Sequence, residues 1–392
     1  MQNCVYDCAV QMTESLVFSI HTIEFTLQIG YTDFSMIKEK LYHAMCKTYY
    51  TVLGQGRIYN SDVFSSIGVR VILKQLNYSE QEFPYYSLVL IINPRLLVGD
   101  QSYLGIYEST PLTNHLLIAK LNDCICRLGL TEYRNVRLGR TLRCTIEDFS
   151  ISRLDLCTNY KFESDDIAAS YLKLMRRGNR CRFLQEDTHY DHSAHRCRPY
   201  SDALLLRAAS FDISIYNKYR QMKDNLCYFK EIPEEANGLL RFEMQLHPAK
   251  LRYLLQKVPD ISLADLLSYT QDLCRAEFER YTKMLFCTGD YYTLNLACKI
   301  IQAHKTAVQS DKMIRFLQDV SANRSLYQTI RDYQRDGRSA RYLLDGLARL
   351  GVNPVTIPEK WFGKAARLSS IPSLLGFCVP NNALPSQELP VC

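Results

Sequence analysis

The sequence predicts an α+β fold: an antiparallel sheet with helices on one face, followed by a mainly helical C-terminal domain. Three observations lead there. Strand-like alternation dominates residues 1–257, helical spacing takes over across residues 258–392, and three of the strands are apolar on one side and polar or charged on the other.

The elements follow in order. "HTIEFTLQIG" sets Ile23, Phe25, Leu27 and Ile29 on one face of a first strand, and "FSMIKEKLYHAM" has the three-to-four spacing of a helix. "SIGVRVILKQL" and "YYSLVLIINP" read as buried strands, and "PLTNHLLIAKLNDCICRLG" as a helix with Gly129 at its C-terminal end. "ISRLDLCTNY", "FDISIYNKYR" and "LLRFEMQL" are three further strands. Beyond Pro259 the pattern is helical, from "SLADLLSYTQDLCRAEFERYTKML" to "SARYLLDGLARLGV", where Gly351 and Pro354 close a helix. "SARYLLDGLARLGVNPVTIPEKW" fits a helix-turn-helix with its turn at "LGVNP", and a plain packing helix equally well. No repeat is present, and "NNALPSQELPVC" reads as a loose tail.

At 392 residues, 47% hydrophobic and 22% charged, the chain can build a sizeable globular core. Its net charge of +6 favours an anionic partner. Fifteen cysteines is an odd number, and the opening residues lack the basic flank, apolar run and small-residue site of a secretory leader. Reduced thiols and a cytoplasmic location are therefore expected. No apolar run approaches the ~20 residues that cross a bilayer, so no membrane partner is expected.

The three polar-faced strands hold the chemistry. Arg153 and Asp155 share one side of the first, with Leu154 and Leu156 behind them. Tyr216 and Lys218, on the second strand, oppose Ile213 and Ile215; Arg241, Glu243 and Gln245, on the third, oppose Leu240, Phe242 and Met244. Paired in one antiparallel sheet, these strands would bring two carboxylates, a phenol and an ammonium together. Carboxylate oxygens suit Mg²⁺ or Mn²⁺, which polarises a phosphoryl oxygen and orients a DNA phosphate. A tyrosine can be the nucleophile once its proton is drawn off, and a lysine can assist at the phosphate. Each motif also has an ordinary reading, as a surface ion pair, an amphipathic strand or a half-buried aromatic. It is their joint occurrence at same-parity positions that points to a site.

At these residues the sequence resembles the replication initiator endonucleases of filamentous phages and the related plasmid rolling-circle Rep and relaxase proteins. The resemblance rests on "ISRLDLCTNY", "FDISIYNKYR" and "NGLLRFEMQL", in this order, with a weaker "INPRLLVG" at residues 92–99. It spans residues 20–255, while the helical remainder matches only in character, through "GLARLGVNP". It implies a relaxase-like nuclease domain over 1–257 and a C-terminal domain, 258–392, for DNA binding or oligomerisation. By motif position it implies Tyr216 as the nucleophile that becomes linked to the 5′ end of the DNA, with Lys218 in the same Tyr-x-Lys frame. The wider relaxase superfamily implies Asp155 and Glu243 as ligands of Mg²⁺ or Mn²⁺. That superfamily usually binds metal through a His-hydrophobic-His pair, and none of the eight histidines here forms one. Cys181, His189, His192, His195 and Cys197 crowd together, but at no familiar zinc spacing, and a polar loop is the expected structure there.

For DNA contacts, Arg153 and Arg241 join Arg176, Arg177, Arg180 and Arg182 in "LMRRGNRCR", and Arg134, Arg137, Arg140 and Arg143 in "YRNVRLGRTLRC"; solvated basic loops account for these two clusters nearly as well. Tyr219, one strand position past Lys218, is expected to face the core. The expected function is that of a rolling-circle replication initiator, a site-specific single-strand endonuclease and strand transferase with a 5′-phosphotyrosine intermediate. A mobilisation relaxase and a non-catalytic origin-binding regulator are the alternatives. The expected partner is origin DNA, single-stranded or hairpin at the nick; a host helicase and a second copy of the chain are left open.

Overall fold

The computed structural model describes residues 16–43, 48–53, 56–77, 84–135, 138–191, 196–224, 231–256, 261–358 and 366–378. Arg137, His192, His195 and the final "NNALPSQELPVC" lie outside them, as does the side chain of Arg134.

The strands are, in chain order, β1 (Phe18–Gln28), β2 (Thr48–Leu53), β3 (Gly56–Ser61), β4 (Val69–Leu76), β5 (Tyr85–Ile92), β6 (Glu132–Asn135), β7 (Arg140–Arg143) and β8 (Ser150–Lys161). There follow β9 (Gln185–Glu186), β10 (Thr188–Asp191), β11 (Arg196–Pro199), β12 (Ala203–Arg207), β13 (Phe211–Asn217), β14 (Leu239–Leu246), β15 (Tyr291–Tyr292) and β16 (Arg367–Leu368). Ten of them form one antiparallel sheet in the order β2-β3-β4-β5-β1-β8-β14-β13-β12-β9. The three polar-faced strands are therefore direct neighbours, β8-β14-β13.

Among the helices, α1 (Tyr31–His43), α2 (Pro94–Val98), α3 (Pro111–Arg127), α4 (Asp165–Arg176), α5 (Lys218–Asp224) and α6 (Pro248–Leu255) are interleaved with the strands. α7 (Leu263–Phe286), α8 (Leu294–His304), α9 (Ala307–Asn323), α10 (Leu326–Arg335), α11 (Arg341–Arg349) and α12 (Ile371–Leu374) make the C-terminal part helical. The fold is α+β, as the alternation and spacing predict. Strand periodicity explains the layering: Ile23, Phe25 and Leu27 of β1, Leu154 and Leu156 of β8, and Phe242 and Met244 of β14 all point to one side and are buried. α1, α4 and α7 cover that side, contributing Phe34, Leu172 and Phe278 to a shared core. Each such side chain buried stabilises the fold by roughly 1.5–3 kcal/mol.

Local signals set several boundaries. Thr110 caps α3 through its hydroxyl and Pro111 opens the helix, while Gly129, at φ +85°, turns the chain away behind it. In the segment expected to be a polar loop, the described residues on either side, Thr188–Asp191 and Arg196–Pro199, pair as the antiparallel strands β10 and β11. The helix-turn-helix reading does not hold among the described residues. After α11 the chain runs extended, Val352 and Ile357 bridging to Asp290 and Thr293, and the next described helix is α12. Buried Asn353 donates to the carbonyls of Phe286 and Gly289 at 2.8 and 2.9 Å, which ties this segment to the end of α7.

Candidate active site

The side of the sheet opposite the helices carries the site. Ser214 of β13 pairs with Glu243 of β14, which pairs with Cys157 of β8; Gln245 pairs with Asp155, and Asp155 with Thr22 of β1. Residues opposed across antiparallel strands share a face, so Tyr216, Glu243 and Asp155 are assembled by register alone.

Tyr216 donates its phenol hydrogen to Glu243 Oε1 at 2.7 Å. Burial, then the neighbouring carboxylate, holds the phenol well above its ordinary pKa, so at neutral pH it is a neutral donor. His21 faces the same oxygen, with Nε2 at 3.7 Å. It sits where the pairing of β1 with β8 slips between Ile20 and Thr22, and this bulge turns its ring onto the polar face. Burial lowers its pKa to about 4 against the pull of Glu243, with Arg241, Lys218 and Arg95 adding to the fall, so the imidazole is neutral.

Lys218 departs from the sequence reading. The strand ends at Asn217, whose side-chain oxygen accepts from the Arg220 amide at 3.0 Å and so caps α5. Lys218 therefore reaches the site from the first turn of a helix rather than from the pleat. It is 3% exposed, donates to Gln221 Oε1 at 2.9 Å and lies 4.0 Å from the Tyr103 ring centre and 5.6 Å from that of Tyr216. Burial, reinforced by Arg241, lowers its pKa to about 7. Tyr219 follows it into α5 and is half-buried, not on the core side of a strand.

The arginines sort differently. Arg241 is buried and spends its donors inside the protein, on Asn159 Oδ1 at 2.8 Å and on the carbonyls of Leu104 and Gly105 at 2.8 and 3.3 Å. It fastens the 100–106 loop over the site, and Asn159 adds a bond to Leu104 at 2.9 Å. Arg95 holds the loop's other end through the Asp100 carbonyl at 2.8 Å. Arg153 grips Asp155 with Nε and Nη2, at 2.8 and 2.6 Å. Away from this face, Arg176 and Arg180 close on Glu186 at 2.9 and 2.6 Å, and Arg176 also donates to the carbonyls of Tyr200 and Ala203. The Arg177 carbonyl accepts from Leu326, and Arg140, Arg143 and Arg182 are exposed.

In kind, the donors fit a hard divalent cation: burial raises the pKa of Asp155 against the pull of Arg153, repulsion from Glu243 adds to the rise, and a neutral imidazole stands beside the two carboxylates. In arrangement, Arg153 holds the Asp155 oxygens such an ion would take, and no group of three or more His, Cys, Asp or Glu side chains is set to hold a metal among the described residues. His21, Tyr103 and Gln221 escape sequence reasoning because a bulge, a loop and a helix cap bring them in. Only the cap had a signal, Asn217.

No protein-family model matches the chain, and no curated protein matches it in sequence. Among solved structures it is similar to a rolling circle replication initiator protein from Geobacillus stearothermophilus, at 12% identity and a TM-score of 0.32 over 67% of this chain and 84% of that one. No described helix is long and apolar enough to cross a membrane, and the described cysteines are free.

Proposed function

We propose that the protein is a DNA nicking and closing endonuclease, an initiator of rolling-circle replication, that works by transesterification through Tyr216. The observation that carries this reading is the Tyr216–Glu243 hydrogen bond, 2.7 Å long, on a sheet face that also gathers Lys218 and His21. A phenol held neutral by burial needs a base in contact with it, and Glu243 is that base. Tyr216 Oη attacks the scissile phosphorus while its proton passes to Glu243. The bond to the 3′ oxygen breaks, that oxygen takes a proton from water and leaves as a hydroxyl, and the 5′ phosphate stays on Tyr216. Closure is the reverse: a 3′ hydroxyl gives its proton to water as it attacks the phosphotyrosine, and Tyr216 leaves with the proton from Glu243.

Lys218, protonated, neutralises the phosphate as charge builds on its oxygens. Neutral His21 faces Glu243 without an opposing charge that would quench it. Arg241 acts as the anchor of the 100–106 loop. Asp155, once released by Arg153, and Glu243, through the oxygen that Tyr216 leaves free, would hold Mg²⁺ or Mn²⁺, which when bound supplies polarisation of a phosphoryl oxygen.

The test is nicking of supercoiled DNA carrying the element's own origin, with Mg²⁺ or Mn²⁺ and with chelator. Relaxed circles and a protein-DNA adduct whose modified peptide contains Tyr216 are expected with the metal, and neither with the chelator. Intact DNA binding without nicking or adduct under any metal condition would make the protein an origin-binding regulator instead.

A further inference from the structure

The polar face extends beyond the chemistry. Across four adjacent strands, Arg70 opposes Ile91, Ile91 opposes Glu24, and Glu24 opposes Arg153. Directly opposed residues share a face, so a row runs from β4 through β5 and β1 to β8, where Asp155 continues it towards Glu243 and Tyr216. Five strand spacings separate β4 from β13, about 24 Å at ~4.8 Å each. At the far end lies a cavity of about 370 Å³ bounded by Thr22, Ser65, Arg70, Ile91, Asn93 and Arg153. Two of its walls, Thr22 and Arg153, also belong to the site: they pair with or grip Asp155.

The lining has the chemistry of one ligand class. Arg70 is exposed and makes no ion pair or side-chain hydrogen bond among the described residues. Half-buried Ile91 supplies an apolar floor. Asn93 spends its Oδ1 on capping α2, at 3.4 Å from the Leu96 amide, so its Nδ2 is a donor held at a fixed place on the rim. Gly68, which also lines the cavity, turns the chain at φ +79°, where a Cβ would lie 2.6 Å from Leu96 Cβ. A guanidinium for a phosphate, an apolar plate for a base and a positioned amide for a base edge are what a nucleotide needs.

We propose that this cavity is a nucleotide subsite, holding a phosphodiester and base of the single-stranded DNA at a distance from the scissile phosphate. The inference rests on the nicking reading and deepens it: the strand crosses the sheet from Tyr216 to Arg70. Glu24 lies between the two arginines, its carboxylate taken up by the Ser152 hydroxyl at 2.8 Å.

Binding of fluorescein-labelled oligo(dT) of about 16 nucleotides, a length that can span such a site, to the full chain tests it by anisotropy across a salt series. Arg70→Ala should weaken binding about 3- to 10-fold and flatten the plot of log affinity against log salt by about 0.7, the loss of one phosphate contact on a single strand. Arg70→Lys should restore the slope, and Arg252→Ala, exposed on α6 on the helical side, should change neither quantity. Wild-type slope and affinity in Arg70→Ala, in a protein that still nicks origin DNA, would remove the subsite and leave the nicking reading standing. Failure of the wild type both to bind oligo(dT) and to nick would remove both.

Discussion

Glu186 and Glu243 are both carboxylates in arginine-rich surroundings, and the protein uses them in opposite ways. Glu186 is 5% exposed and takes Arg176 on one oxygen and Arg180 on the other, at 2.9 and 2.6 Å. Glu243, 20% exposed, has a phenol at 2.7 Å and a neutral imidazole at 3.7 Å. The first cluster is neutralised within itself and ties α4 to β9 and the 200–203 turn. The second keeps a carboxylate facing groups that carry no charge, so a proton can move to it. Arginine density therefore marks architecture around Glu186, and the carboxylate proposed as the base is the one without an arginine grip.

The largest expected effect follows from the second cluster. Tyr216→Phe removes one oxygen from the sheet face and opens no core cavity, so fold and DNA affinity should persist. Nicking and adduct should both disappear, because the β13 hydroxyl hydrogen-bonded to Glu243 among the described residues is that of Tyr216. Appreciable nicking by this variant, measured on supercoiled origin DNA, would dissolve the contrast between the two carboxylates.

The first cluster answers to stability instead. Glu186→Gln keeps the shape but leaves two partly buried guanidiniums without their anion, at a cost of about 2–3 kcal/mol. Urea denaturation should show that loss, while the nicking rate per folded molecule stays at the wild-type value. A variant as stable as wild type but poor at binding DNA would return Arg176 and Arg180 to the DNA interface.

How much of this was written in the sequence depends on the period of each element. The alternation of β8, β13 and β14 fixed which residues face away from the core, and antiparallel register did the rest, so Asp155, Glu243 and Tyr216 were legible. Lys218 was legible as a neighbour of Tyr216 but not as a helical residue; the sign was Asn217, a short polar side chain able to cap. His21 was not legible, because a bulge breaks the parity on which the reading depends. Nor were the roles of Arg241 and Arg176, since alternation gives a side chain's direction and not the partner it meets. Arg241 points to the polar face as predicted, and is 2% exposed there because the 100–106 loop folds over it.

Lys218 sharpens the comparison through pH. Its pKa is about 7 in the folded protein against 10.5 ordinarily, because burial opposes the ammonium. Below 7 both folded and unfolded chains carry the proton, and above 10.5 neither does. Between these values the unfolded chain binds more protons, so this group makes stability rise with pH, by at most about 1.4 kcal/mol per unit. Lys218→Met should remove that rise, so the stability difference, wild type minus variant, should grow in favour of the wild type from pH 7 upward. A difference independent of pH in denaturation series across that window would mean that Lys218 is solvated and not held against Tyr103.

The smallest effect is expected at the second tyrosine of the motif. Tyr219 follows Lys218 in the sequence, and had the strand continued, it would have pointed into the core. Because Asn217 caps α5, it lies instead on the helix, half-buried, while Glu243 is satisfied by Tyr216. A phenol without a base against it keeps its proton and attacks slowly. Tyr219→Phe should therefore nick at the wild-type rate and form the same adduct, any change being confined to the later strand transfer. Peptide mapping of the trapped adduct gives the decisive reading: DNA recovered on Tyr219 would show that contact with Glu243 does not select the nucleophile, and that the geometry separating the two tyrosines carries no chemical consequence.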